Sequence, residues 1–247
     1  MYPILFSIGP IKVFSYGFSI AVGLFLAFVM IRKRGDYKGI APDQLIDLMI
    51  ATTCIGLVGA RILYVIRFNE LYRDNWFAVF KVWEGGLILY GGVICALLFL
   101  LVYVYIKKKS FFLITDAIVP YFVFVQGFGR IGCFLNGCCG GRVTDSMFGI
   151  MFPNTNYLVY PTQLYSALFC FCVAWCVFKA NKPTLRVGFT TTVYFLTYPV
   201  GRFAIEFVRV NAAVAGGYSS AQIISVIFFV MAAIVFLIQK YWKPNEQ

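Results

Sequence analysis

The chain is predicted to be an all-α, polytopic membrane helical bundle, and three observations carry that prediction. It is 61% hydrophobic and only 13% charged, against roughly 25% charged residues in a soluble domain. Seven apolar stretches are each long enough to cross ~30 Å of hydrocarbon at ~1.5 Å per residue. The bases sit mostly in short clusters at the ends of those stretches, the pattern of topology signals and headgroup contacts. No water-soluble insert exceeds about 25 residues, so residues 1–247 are expected to form a single integral-membrane domain.

The seven transmembrane helices are placed at about 13–31, 45–66, 86–106, 112–135, 161–178, 188–208 and 221–239. The first runs on for a full span with no small-residue cleavage site, so it reads as a helix and not as a cleaved signal. The second carries Arg61, and the third begins near Tyr90. The fourth contains Pro120, tolerable where neighbouring helices re-satisfy the freed backbone. The fourth and sixth carry Arg130 and Arg202 late in their course.

Charge asymmetry sets the orientation. One set of connections holds Arg32, Lys33, Arg34, Lys38, Lys107, Lys108, Lys109, Lys179, Lys182, Arg186, Lys240 and Lys243; the other holds Lys12, Arg67, Arg73, Lys81, Arg142 and Arg209. The richer side is expected to be cytoplasmic, giving an outside N-terminus and a cytoplasmic C-terminus. The net charge of +11 is accounted for by these clusters, so nucleic acid is not expected as a partner.

By residue count Arg61, Arg130 and Arg202 fall in the outer half of the bilayer, and Tyr16 and Tyr90 reach the same depth. An isolated arginine near the membrane midplane costs ~2.5–3.5 kcal/mol or more, so grouping around an anion or a wet cleft is expected. Glu206 lies four residues after Arg202 and three before Arg209, a spacing that places all three on one helical face. It reads as an orienting partner for the arginines or as a structural ion pair. Arg61 is open between lipid contact and helix–helix adhesion. Arg130 stands in Gly129-Arg130-Ile131-Gly132, where the glycines keep the backbone bare for close approach of a ligand.

Of the eight cysteines, Cys54, Cys95, Cys170, Cys172 and Cys176 lie in apolar runs and read as small hydrophobes. Cys133, Cys138 and Cys139 admit packing, an outward-facing disulfide, or an incomplete zinc set that Asp145 extends. Adjacent cysteines make poor co-ligands, so packing is preferred, with no metal and no cofactor expected.

Several motifs together resemble those of the prolipoprotein diacylglyceryl transferases. Gly129, Arg130, Gly132, Phe134, Asn136 and Gly141 fall in register with that family's signature, which runs Gly-Arg-x-Gly-Asn-Phe-x-Asn-x-Glu-x-x-Gly. Gly59-Ala60-Arg61-Ile62-Leu63-Tyr64, Tyr90-Gly91-Gly92, Asp116 with Pro120, Tyr160-Pro161-Thr162-Gln163-Leu164-Tyr165, Arg202 to Arg209 and Ser220-Ala221-Gln222 extend the likeness over almost the whole chain. Three positions depart from the pattern. Cys133 replaces the signature asparagine, Cys138 replaces its glutamate, and Tyr90 stands where well-studied members carry histidine; this chain has no histidine.

The resemblance implies a multi-pass enzyme of the bacterial cytoplasmic membrane. It would transfer the diacylglyceryl group of phosphatidylglycerol to the lipobox cysteine of prolipoprotein signal peptides, leaving a thioether and glycerol phosphate. On that reading Arg130 and Arg202 stabilise the phosphate, and the thiol is deprotonated by Tyr90, by Tyr16 or by a phosphate oxygen of the lipid itself. Asn136, Gly141, Glu206, Arg209, Arg61 and Gln163 contribute to lipid binding, with Gly141 leaving room for the headgroup. The alternative is a divergent relative that binds or moves lipid or peptide without transferring it.

Overall fold

A computed structural model describes residues 2–8, 11–73, 75–82, 85–152, 156–210 and 217–241. Lys243, counted above among the bases of the richer side, lies outside them, as does the side chain of Lys240. Seven long helices follow one another: α1 (Ser15–Arg34), α2 (Pro42–Arg67), α3 (Leu89–Lys107), α4 (Phe111–Leu135), α5 (Thr162–Ala180), α6 (Phe189–Glu206) and α7 (Ser220–Tyr241). All but α6 are long and apolar enough to span a membrane. The exception has a physical reason: α6 carries Thr190, Thr191, Thr192 and Glu206, all buried within the protein. The all-α membrane bundle therefore holds, while the sixth helix is more polar than its place in the sequence suggested. Two small antiparallel sheets were not anticipated, β1 (Ile4–Ile8) with β2 (Ile11–Phe14), and β3 (Ile150–Met151) with β4 (Leu158–Val159).

The chain divides into two compact units, residues 1–33 with 115–247 and residues 34–114. In the first, α1 buries Ser15, Ser19, Gly23, Ala27 and Ile31, a stripe at fourfold spacing that lies along one helix face. Gly23 is required by close approach, because a Cβ there would lie 2.9 Å from the Phe128 side chain on α4. Val119 and Val123 of α4, Cys170, Val173, Ala174 and Val177 of α5, and Tyr194 of α6 form one hydrophobic core.

Asp116 fastens the far end of this unit. Pro120 has no N–H to offer the Asp116 carbonyl one turn back, and Asn181 Nδ2 donates to it instead at 2.7 Å. The fully buried Asp116 carboxylate accepts the backbone N–H groups of Gly188 and Thr191 at 2.7 and 2.8 Å. A carboxylate on the exposed N–H groups of a helix start satisfies donors that the helix cannot. At α7 the same need is met by a reciprocal cap. Gln222 N–H donates to the Ser219 hydroxyl at 3.3 Å, and Ser219 N–H donates to Gln222 Oε1 at 3.0 Å. Ser-x-x-Gln is the capping-box pattern.

In the second unit α2 and α3 cross with backbones nearly touching. A Cβ at Gly59 would lie 2.7 Å from the Gly91 carbonyl oxygen, and one at Gly92 would lie 2.9 Å from that of Gly56. Small residues at a crossing are the usual means of close helix association in membranes. Gly91 and Gly92 therefore serve the helix contact.

Candidate functional site

Arg130 on α4 and Arg202 on α6 line the same small cleft of about 10 Å³, together with Tyr198, Ser166, Phe169, Cys170 and Ile205. Each arginine has a polar side chain one turn earlier on its own helix, Gln126 before Arg130 and Tyr198 before Arg202. Gln126 Nε2 donates to the Tyr198 hydroxyl at 2.9 Å, and the Arg130 guanidinium interacts with the same phenol. Gln126 and Tyr198 were missed in the sequence. The signal was present as a polar residue four positions before an intramembrane arginine, which shares its face.

Glu206, the last residue of α6, pairs with Arg202 through Oε2. Its Oε1 accepts the Ser219 hydroxyl at 2.7 Å, so the capping serine of α7 holds the carboxylate that holds Arg202. Arg209 is not on the helix face proposed for it. Its N–H donates to the Glu206 carbonyl at 3.2 Å in a turn beyond α6, and its backbone bridges to Gly141. Partial burial lowers the Arg209 guanidinium below its usual range, and the positive charges of Arg202 and Arg130 add to that effect. The Arg209 guanidinium thus lies in the field of two like charges, Arg202 and Arg130, and of two opposing groups, Glu206 and Cys139.

Tyr16, at the start of α1, belongs to this group. A Cβ on Gly132 would lie 3.0 Å from Tyr16 Cα, and Arg130, Cys133, Cys138 and Cys139 all act on the Tyr16 phenol electrostatically. Gly132 thus serves helix packing and not ligand approach. A Cβ on Gly129 would meet only Ile20, at 4.0 Å. The space left by Gly141 is taken by the protein itself. A Cβ there would lie 2.5 Å from the Val208 carbonyl oxygen and 2.8 Å from the Thr162 methyl group. No room for a headgroup arises at that position.

Gln163 is another residue expected to contribute to lipid binding. It is fully buried, and its Nε2 donates to the Cys138 carbonyl at 2.5 Å. Its visible task is to fix the turn after α4. Thr162 Oγ1 does the same for the Cys139 carbonyl at 3.0 Å. Asn136 is half-buried in that turn and interacts with Cys138. All eight cysteines are free thiols. The Cys133 thiol, acting as donor, pulls the Cys139 thiol down to about 5 against the opposing effect of burial, and Arg209 and Arg130 act in the same direction.

Arg61 resolves the choice left open for it. It is buried at 7% exposure, and its guanidinium donates to four carbonyl oxygens: Val79 at 2.8 Å, Gly85 at 2.6 Å, Gly86 at 3.1 Å and Ala78 at 2.7 Å. It also lies over the rings of Tyr64 and Tyr72. The side chain folds the segment between α2 and α3, which includes short 3₁₀ turns at Asn69–Tyr72 and Trp76–Phe80. With its donors so engaged, Arg61 is a structural clamp and not a lipid contact. Tyr90 stands exposed in the first turn of α3.

These features define a multi-pass membrane protein with a cationic cleft built on α4 and α6. A family model for prolipoprotein diacylglyceryl transferase matches residues 3–238. The phosphatidylglycerol–prolipoprotein diacylglyceryl transferase of Clostridium tetani is 33% identical over 251 residues, covering 98% of this chain and 100% of that protein. The enzyme of the same name from Vibrio parahaemolyticus is 33% identical over 246 residues, covering 94% of this chain and 89% of its own length. A second such transferase of Clostridium perfringens is 32% identical over 249 residues, with 98% and 97% covered. The chain belongs to the prolipoprotein diacylglyceryl transferase family.

Proposed function

We propose that this protein transfers the diacylglyceryl group of phosphatidylglycerol to the lipobox cysteine of prolipoproteins, in a bacterial cytoplasmic membrane, with its N-terminus outside. The observation that carries the reading is the shared cleft of Arg130 and Arg202 with Arg209 close by, an excess of positive charge suited to one anionic headgroup. The lipobox sulfur attacks the glyceryl carbon that bears the phosphate. A C–S bond forms, the C–O bond breaks, and its electron pair leaves on the phosphate oxygen. The thiol proton ends on the departing glycerol phosphate.

Arg130 and Arg202 bind the phosphate through charge-assisted hydrogen bonds that strengthen as charge collects on the leaving oxygen. Glu206 holds Arg202 in place, and Arg209 meets the headgroup or the departing phosphate. Asn136 orders the turn beside the headgroup. Tyr16, within electrostatic range of Arg130, is the favoured relay for the thiol proton, and Tyr90 is the alternative carrier. A cysteine-bearing, histidine-free member of the family can work this way because the phosphate itself is the final proton acceptor.

Complementation of a strain lacking its own transferase, with mass spectrometry of a lipobox peptide incubated with defined lipids, tests this function. Rescue and a diacylglyceryl thioether made only with phosphatidylglycerol are expected. Headgroup binding without any thioether would leave the chain a lipid-binding scaffold.

A further inference from the structure

The turn that ends α4 gathers three thiols that the transfer reaction does not use. Gly137 takes a positive φ of 72°. Around it Gly137 N–H donates to the Phe134 carbonyl at 3.0 Å, and Cys138 N–H reaches back to the Cys133 carbonyl at 3.1 Å. That pair of bonds is a Schellman closure, which turns the chain back over the last helical turn. It sets Cys138 above Cys133. Cys139 follows with φ 65°, a left-handed conformation unusual for a residue with a Cβ. Gln163 and Thr162, from the start of α5, hold the carbonyls of Cys138 and Cys139. The backbone is thus fixed on its carbonyl side, and the thiols face one another.

The three sulfur atoms all lie within 4.8 Å of one another, with Cys138 and Cys139 at 3.6 Å. Three sulfurs at ~2.3 Å from a common ion, the thiolate–zinc distance, are roughly 4.0 Å apart in a trigonal plane. The observed separations bracket that value. We infer that Cys133, Cys138 and Cys139 form a three-thiolate site for a soft monovalent metal ion, Cu(I).

The ion follows from the donor set. Thiolates select soft ions, whereas structural zinc sites ordinarily complete four ligands from sulfur, nitrogen or oxygen. Among the described residues no fourth cysteine or carboxylate joins this group, and the chain has no histidine. Charge points the same way. Three thiolates around a monovalent ion leave less negative charge to offset than the bare thiolates would, and Arg209 and Arg130 lie within electrostatic range of the Cys139 sulfur. Cys139 is exposed, so an ion has access. Such a site stands whether or not the chain transfers diacylglyceryl groups.

The test uses the full-length protein in detergent under anaerobic conditions, titrated with Cu(I) against a chromophoric chelator. One tightly held equivalent is expected, and C133S/C138S/C139S should lose it by at least a hundredfold in affinity while keeping its helical circular dichroism. Because that variant can misfold, a second measurement uses the wild type alone. Alkylation followed by mass spectrometry should find Cys133, Cys138 and Cys139 protected by Cu(I), and the exposed Cys54, Cys172 and Cys176 still reactive. X-ray absorption should find three sulfur neighbours at copper. Retention of the equivalent by the triple variant, equal labelling of all six cysteines with copper present, or a two-sulfur copper would overturn the site.

Discussion

Arg61 and the arginines of the cleft began as the same kind of residue, a guanidinium late in an apolar span. The structure separates them by their acceptors. Arg61 donates to four main-chain carbonyls and lies over two tyrosine rings. Arg202 pairs with Glu206, and Arg209 lies in the field of Arg202, Arg130, Glu206 and Cys139. A buried charge is stable when its hydrogen-bonding groups are met, and Arg61 has that from its own unit. The cleft group has more positive charge than its carboxylate offsets. An arginine inside a membrane span is therefore not a ligand signal in itself; the acceptors around it decide.

The largest expected effect separates the two sites by what is lost. Arg130→Ala and Arg202→Ala should each lower transfer to a lipobox peptide by about 10²–10³-fold, the usual cost of deleting one transition-state donor. Thermal stability in detergent should change little for Arg130→Ala, whereas Arg202→Ala also leaves the buried Glu206 carboxylate without its ion-pair partner and should lose some stability. Arg61→Ala should do the reverse. It should destabilise by roughly 3 kcal/mol or more, through four lost charge-assisted bonds. Thermal unfolding and per-molecule turnover of the folded fraction separate the cases. An Arg61→Ala protein of unchanged stability that no longer transfers lipid would erase the distinction.

Much of this arrangement was legible before any coordinates, and the gaps have physical causes. The seven apolar stretches fall within three residues of the observed helix ends, for six of them because span length is set by the bilayer. Capping and proline chemistry explain why α4 and α7 end and begin where they do. Arg61 was ambiguous because its acceptors come from a short irregular segment with no periodicity to read. Gly132 and Gly141 were given a ligand's space because a bare backbone looks the same in sequence whether a headgroup or another helix fills it. Arg209 was put on a helix that had already ended. The three cysteines looked incompatible as neighbours because sequence does not disclose the left-handed turn at Cys139.

A smaller effect is expected at the carboxylate between the arginines. Glu206→Gln keeps an oxygen for the Ser219 hydroxyl but removes the ion pair with Arg202. Arg202 then lacks its anchor, and transfer should fall about tenfold, within the ~1–3 kcal/mol span of a lost charged hydrogen bond. Most of the loss should appear in the lipid KM if Glu206 only positions Arg202. Loss confined to thermal stability, with KM and kcat intact, would make the pair structural and move Arg202 toward the Arg61 class.

The smallest effect is expected from Tyr90→Phe, set against Tyr16→Phe. Tyr90 is 66% exposed and lies in the same unit as Arg61, whereas Tyr16 is within electrostatic range of Arg130 and of the thiols. Positive charge beside a phenol favours its ionised form; at Tyr16 Arg130 supplies it against the opposing effects of burial and of Cys133, Cys138 and Cys139. Removing the Tyr90 hydroxyl should therefore change turnover by less than about threefold, below ~0.7 kcal/mol, while Tyr16→Phe should cost more. The pH profile of kcat distinguishes a relay from a packing group, because loss of a titrating phenol removes a limb that a packing change leaves in place. If Tyr90→Phe proved the more damaging of the two, the proton path would run through the unit that Arg61 organises. The functional boundary would then no longer coincide with the division between satisfied and unsatisfied arginines.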